Sequence, residues 1–219
     1  MNLTLELQSF LTEFAMRVPL PRQRVIDRSV RALAASGLIE KAIHEGQAAP
    51  RFELPDWSGQ PYRLDDALAA GPVVLLFFRG VWCPFCNLTL RAYQERFTDI
   101  QRLGASLVGA SPQSFDKLRR SAERNRLQYP LLSDRGCEVA ARYGLAFTVD
   151  PELQGVYEKV GHSLPDYNAS LDWMLPIPAT YLIGSDGIVQ LAYVNADFRS
   201  RLDPDRLIQR LAALTGRQP

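Results

Sequence analysis

Residues 73–90 read VVLLFFRGVWCPFCNLTL, and their order decides the fold. Val73 to Phe78 is a continuous apolar run, the composition of a short strand buried on both faces. Arg79 and Gly80 end it, Cys83 and Cys86 follow at a break, and a helical pattern starts at Pro84. Cys83 therefore falls at a helix N-cap and Pro84 at the first helical position, where its missing N–H costs nothing. A sulfur at that cap faces unpaired backbone N–H groups and the positive end of the helix dipole, which favours the Cys83 thiolate. Cys86 lies one turn further on, close enough for a disulfide. Trp82 and Phe85 shield one side of the pair, so Cys83 is expected to be the sulfur that meets solvent.

Outward from this stretch the pattern alternates. Residues 86–103 read as a helix with Leu88, Tyr93, Phe97, Ile100 and Leu103 on its buried face. A second strand is expected at 105–110, a charged helix at 114–126, an extended piece at 129–132 and a short helix at 138–143 closed by Gly144. Residues 150–162 are expected to be helical and the connection to 176 irregular. Ala179 to Ile183, a turn at 184–187 and Ile188 to Val194 form a hairpin. A last helix starts with Asp203 as cap and Pro204 at its first position. Strands alternating with helices, then a hairpin and a helix, give an α/β chain with a mixed central sheet flanked by helices, the layout of a thioredoxin fold.

Before residue 46 the texture differs. Leu3, Leu7, Phe10, Leu11 and Phe14 recur at intervals of three and four, Pro19 and Pro21 interrupt, and a second helical pattern runs from Val25 to Ile43. Residues 1–46 thus read as an N-terminal helical extension and residues 47–219 as the thioredoxin-fold domain. Arg22, Arg24, Arg28 and Arg31 are expected on a solvated helix face.

Composition bounds the function. Hydrophobic residues make up 47% of the 219 and charged residues 22%, with a formal net charge of +1, which argues against nucleic acid or an acidic membrane surface as partner. The N-terminus lacks a basic n-region and carries Glu6 and Glu13, so it does not read as a secretory signal, and a cytoplasmic location is expected. In a reducing compartment three cysteines do not form a disulfide framework, and a Cys-x-x-Cys pair points to redox chemistry or a metal. Zinc needs two further ligands, and Cys137, His44 and His162 are isolated. No metal or other cofactor is therefore expected. Cys137 is expected to be a passive helix residue, Trp57 and Trp173 packing residues, and His162 a neighbour of the site at most.

Trp82-Cys83-Pro84-Phe85-Cys86 resembles the thioredoxin pattern Trp-Cys-x-x-Cys. Gly46 to Leu54, GQAAPRFEL, resembles the opening of peroxiredoxins and of thioredoxin-like reductases of bacterial redox systems, and Ser111-Pro112, Pro130 to Asp134 and Ala140 to Leu145 resemble the peroxiredoxin middle section. From Gly46 onward the chain resembles the peroxiredoxin-like branch of the alkyl hydroperoxide reductase/thiol-specific antioxidant family. That resemblance implies a thioredoxin fold, a hydroperoxide substrate, and a thioredoxin-like or low-molecular-weight thiol as reductant. It also implies that Cys86 occupies the peroxidatic position of the family's Pro-x-x-x-Thr/Ser-x-x-Cys motif. Cys83 then stands in place of the Thr/Ser and Arg79 in place of the Pro. The family's second active-site arginine falls at Pro178, which instead resembles the thioredoxin cis-proline. Arg79 is the expected substitute for that arginine.

Three readings are open on these residues. One is a peroxidase in which Cys86 attacks and Cys83 resolves. Another is a disulfide reductase in which Cys83 attacks, with Trp82, Pro84 and Pro178 shaping the groove. The last is a redox sensor or interaction protein that uses residues 1–46 as its interface, with a homodimer as one arrangement.

Overall fold

A computed structural model describes residues 2–168 and 170–218. The chain opens with helices α1 (Leu3–Arg17), α2 (Leu20–Ala34) and α3 (Leu38–Lys41), followed by the hairpin β1 (Glu53–Pro55) and β2 (Pro61–Arg63) and helix α4 (Leu64–Ala70). Then come β3 (Val73–Phe77), α5 (Pro84–Glu95), α6 (Phe97–Arg102), β4 (Ser106–Ser111), α7 (Phe115–Asn125) and β5 (Leu131–Ser133). Next are α8 (Glu138–Arg142), β6 (Ala146–Thr148), α9 (Pro151–Lys159), α10 (Leu164–Asn168) and β7 (Met174–Pro176). The chain closes with β8 (Ala179–Ile183), β9 (Val189–Val194) and α11 (Pro204–Thr215).

The central sheet has the order β5-β4-β3-β8-β9. β3, β4 and β5 are parallel, and β8 runs antiparallel to both β3 and β9. This is the mixed sheet expected of a thioredoxin fold. β3 lies at its centre, and side chains alternate between faces. Val74 and Leu76 pack with Tyr93, Ile100, Leu207 and Leu211 from α5, α6 and α11. Val73, Leu75 and Phe77 pack on the other face with Leu64, Tyr143 and Tyr181. Burial on both faces explains why β3 reads as an unbroken apolar run.

Several elements differ from the expectation. The helix read over 86–103 breaks at Arg96, whose backbone (φ −98°, ψ 5°) leaves the helical region between α5 and α6. The second N-terminal pattern splits at Gly37, which adopts φ 74° between α2 and α3. The stretch before 176 is not wholly irregular: it holds α10, and β7 pairs with β6. Short strands whose partners are remote carry little periodic signal, which is why β6 and β7 escape a sequence reading.

Helices α1 and α2 dock on the rest of the chain. Leu3 and Leu7 of α1 are buried in the core, and Phe10 meets Phe85 edge-on with 5.1 Å between ring centroids. α2 is fixed by polar contacts: Ser29 Oγ donates to Asp150 Oδ2 at 2.6 Å, and Asp27 pairs with Arg199 at 2.8 Å. Arg28 pairs with Glu152 at 3.2 Å, and Arg24, Arg28 and Arg31 are exposed as expected, whereas Arg22 is half-buried.

Candidate active site

The loop from Phe78 to Cys83 carries the chain from β3 into α5, and a buried polar network sets its shape. Gly80 adopts φ 151°, and a Cβ there would lie 2.6 Å from Trp82 Nε1 and 2.9 Å from Gln113 Cδ. Glycine alone lets the indole and the amide approach so closely. The N–H of Val81 donates to Gln113 Oε1 at 2.9 Å. Asn87 Nδ2 donates to the carbonyls of Val81 (2.8 Å) and Cys83 (3.1 Å), and Asn125 Nδ2 donates to Asn87 Oδ1 at 2.9 Å. Cys83 is the N-cap of α5 with Pro84 at its first position, as the sequence predicts.

The structure brings Arg79, Cys83 and Cys86 together. Both cysteines are free thiols, and each is only 1% exposed, so Cys83 does not meet solvent as expected. The shielding comes from α1, whose Phe10 and Phe14 pack on Phe85 together with Phe198.

The charge preference is also the reverse of the helix-cap expectation. The N–H of Arg79 donates to Cys86 Sγ at 3.4 Å, and Arg201 Nη2 donates to the same sulfur at 3.6 Å. Burial alone would push the Cys86 thiol up. The hydrogen bond from Cys83, the charges of Arg201 and Arg79 and the Arg79 N–H outweigh it and hold Cys86 at about 5. Cys83 moves the other way: burial first, then its hydrogen bond to Cys86 and the charge of that neighbour, push it well above the ordinary thiol range. The pair thus holds one negative charge, placed on Cys86. A dipole argument at the N-cap does not foresee this because one of the two arginines arrives from a distant loop.

Arg79 is 3% exposed. Its guanidinium carbon lies 4.1 Å from the ring centroid of Phe198, 4.7 Å from that of Trp82 and 5.5 Å from that of Tyr157. Its Nη2 donates to the Tyr157 hydroxyl. Among the described residues no carboxylate pairs with it, and its Nε has no partner. Aromatic faces stabilise a desolvated cation, and the thiolate of Cys86 is its counter-charge.

The two sulfurs face different spaces. Cys86 lines a void of only about 10 Å³ with Thr89, Pro178, Thr180 and Arg201, room for about one water. Cys83 lines a cavity of about 240 Å³. Its floor is Trp82, Pro84 and Phe85, and its cover is Phe14, Val18, Arg22 and Ile26 from the N-terminal helices. Pro178 does sit beside the pair, but no described peptide bond is cis. The Ile177–Pro178 bond has the trans form that even X–Pro bonds prefer by about 0.5–1 kcal/mol.

The structure also places His162 and Cys137. His162 borders the Cys83 cavity, its ring 5.6 Å from that of Trp82, and burial holds its pKa below the usual value. Cys137 is buried away from the pair, in the other core layer, and burial pushes its thiol up, so its position at the start of α8 does not activate it. Among the described residues no three His, Cys, Asp or Glu side chains group closely enough to hold a metal ion. Reasoning from sequence misses Arg201, Tyr157 and Phe198. Arg201 lies 115 positions from Cys86 along the chain, and Tyr157 and Phe198 lie 78 and 119 positions from Arg79, and no local pattern marks them.

Known proteins match this chain. Residues 45–192 match the model of the AhpC/TSA family. A Mycobacterium tuberculosis protein named as a peroxiredoxin is 38% identical over 100 residues, covering 46% of this chain and 65% of its own. Chloroplastic peroxiredoxin Q of Arabidopsis thaliana is 29% identical over 166 residues, covering 76% of this chain and 66% of its own. The chain thus spans slightly less than two thirds of the length of each. The crystal structure of peroxidoxin BcpB from Mycobacterium tuberculosis superposes with a TM-score of 0.62 at 27% identity, covering 78% of this chain and 98% of that one. With its thiol pair at the strand-to-helix junction of a thioredoxin fold and a family match over residues 45–192, the chain belongs to the AhpC/TSA family.

Proposed function

We propose that the protein is a thiol peroxidase that reduces hydroperoxides through a dithiol–disulfide cycle of Cys86 and Cys83. The observation that carries this reading is the pair of donors, Arg79 N–H and Arg201 Nη2, converging on Cys86 Sγ. They favour the thiolate and stand ready to stabilise charge on the departing oxygen. The Cys86 thiolate attacks one peroxide oxygen, an S–O bond forms and the O–O bond breaks. The leaving hydroxide or alkoxide takes up a proton. The Cys83 thiol then condenses with the Cys86 sulfenic acid, releasing water and leaving a disulfide. A thiol donor, of thioredoxin-like or low-molecular-weight type, returns the pair to the reduced state.

In this reading residues 1–46 are a helical cover on the thioredoxin-type domain, and the reducing cytosol is its setting. No helix among the described residues is long and apolar enough to cross a membrane. The Trp-Cys-x-x-Cys pattern favours a second reading, a protein disulfide reductase, but a 1% exposed Cys83 beneath α1 and α2 is poorly placed to attack a folded protein.

The test follows consumption of hydrogen peroxide and of cumene hydroperoxide by the wild type and by Cys86→Ser with dithiothreitol as reductant, alongside insulin disulfide reduction. The peroxidase reading expects wild-type turnover of peroxide, none by Cys86→Ser, and little insulin reduction. Rapid insulin reduction with both thiols untouched by peroxide would favour the reductase instead.

A further inference from the structure

We propose that the cavity between the N-terminal helices and Cys83 is the site of the electron donor, and that this donor is a low-molecular-weight thiol carrying a carboxylate. The inference rests on the dithiol–disulfide cycle above and narrows the reductant that serves it.

Three observations carry it. Access comes first: once the disulfide has formed, its two sulfurs are not equally approachable. Cys86 borders a void of about 10 Å³, while Cys83 borders a cavity of about 240 Å³. A donor thiolate therefore meets Cys83 Sγ. The leaving group agrees with this direction of attack. When the donor bonds to Cys83, the S–S bond breaks and its electron pair stays on Cys86, the sulfur that Arg201 and the Arg79 N–H stabilise as an anion. Exchange is faster when the departing thiol is the more acidic one. A second donor thiolate then attacks the donor's own sulfur, releasing the oxidised donor disulfide and the Cys83 thiolate, which takes a proton. Two donor thiols are oxidised and one protein disulfide is reduced.

The lining defines the chemistry of the donor. Phe14, Val18, Ile26, Val156 and Phe198 make most of the wall apolar. Arg22 is half-buried on the cover without an ion-pair partner among the described residues, and the buried Arg79 has an unpartnered Nε. Arg22, with no ion-pair partner among the described residues, and the free Arg79 Nε on an apolar wall suit a small molecule with a carboxylate. A donor protein of thioredoxin type presents its cysteine on the surface of a folded domain. It cannot bring that sulfur to Cys83 beneath Phe14 and Val18 while α1 and α2 stay docked.

The test forms the Cys83–Cys86 disulfide with diamide, so that the outcome does not depend on any reaction with peroxide, and then measures the return of the two thiols by alkylation and mass spectrometry. The probes are glutathione, 2-mercaptoethanol, and thioredoxin with its reductase. Glutathione is expected to reduce the pair with saturating kinetics and faster than thioredoxin. Arg22→Gln is expected to lower the ratio of glutathione to 2-mercaptoethanol rates about fivefold, the weight of one partly exposed ion pair. Val18→Trp, which fills the cavity, is expected to slow glutathione further, and Arg22→Gln at its half-exposed position serves if that variant folds poorly. In Cys86→Ser, glutathione disulfide is expected to leave glutathione on Cys83. Faster reduction by thioredoxin, an unchanged ratio in Arg22→Gln, or an unmodified Cys83 in Cys86→Ser would each overturn the proposal. Failure of the peroxidase reading shows separately, as an absence of peroxide-driven oxidation.

Discussion

At the scale of single residues, the site consists of a shared negative charge and the cations that hold it. Cys86 keeps the charge because the hydrogen bond from Cys83, Arg201 and Arg79 outweigh its burial, and Cys83 keeps the proton because burial, and then its hydrogen bond to Cys86, disfavour its thiolate. The deprotonated form reacts, and its pKa is lowered, so reactivity is present at neutral pH and lost as pH falls below about 5. Alkylation of Cys86 by iodoacetamide, read by mass spectrometry, is expected to rise through that pH and to be level at 7; a midpoint in the ordinary thiol range would contradict the assignment. Arg201→Ala removes a charged hydrogen bond of about 1.5–3 kcal/mol. It is expected to move the midpoint upward and to slow oxidation by peroxide at least tenfold in stopped-flow measurements. This residue shows where the sequence runs out. The Cys-x-x-Cys pair and Arg79 are legible because they are adjacent on one strand–loop–helix unit. Arg201 is one of several arginines in its region, and only the packing of the loop after β9 against α5 selects it.

At the scale of elements, β3 and α5 present the pair, and other elements position it. The loop between them is held by Asn87, Gln113 and Asn125, which satisfy its buried backbone groups. Asn87→Ala leaves the Val81 carbonyl and the Asn125 amide short of partners. A loss of about 1–3 kcal/mol is expected in urea unfolding, with the same slope as wild type if the effect is on the native state. α1 acts as a cover. Phe10→Ala removes the ring that meets Phe85 edge-on and is expected to speed labelling of Cys83 by a bulky maleimide. An unchanged labelling rate would mean that α1 does not limit access. The helix of α1 could be read from its three-and-four spacing, and Leu3, Leu7, Phe10, Leu11 and Phe14 all lie within Leu3–Arg17. Periodicity identifies an apolar face without saying what it packs on, so the docking of that face over the thiols was not legible. The short strands β6 and β7 were missed for the reason that makes them informative: they exist through each other's pairing.

At the scale of the whole molecule, the sheet order β5-β4-β3-β8-β9 brings together groups from widely separated parts of the chain. The thiols leave the end of β3, Pro178 and Thr180 border Cys86 from the start of β8, and Arg201 reaches it from the segment between β9 and α11. Tyr157 of α9 and Phe198 enclose Arg79. The alternation of strand and helix made this fold readable, because buried parallel strands and amphipathic helices carry different periods. The closed, double-walled site was not readable, since it depends on α1 and α2 folding back over the domain. The order in which the two sulfurs react distinguishes the peroxidase from the reductase. Cys83→Ser and Cys86→Ser are each exposed to one equivalent of hydrogen peroxide, and sulfenic acid is trapped with dimedone and located by mass spectrometry. Label on Cys86 in Cys83→Ser, and none on Cys83 in Cys86→Ser, is the predicted result. Label on Cys83 in Cys86→Ser at a comparable rate, with Cys86 unmodified in the other variant, would contradict it.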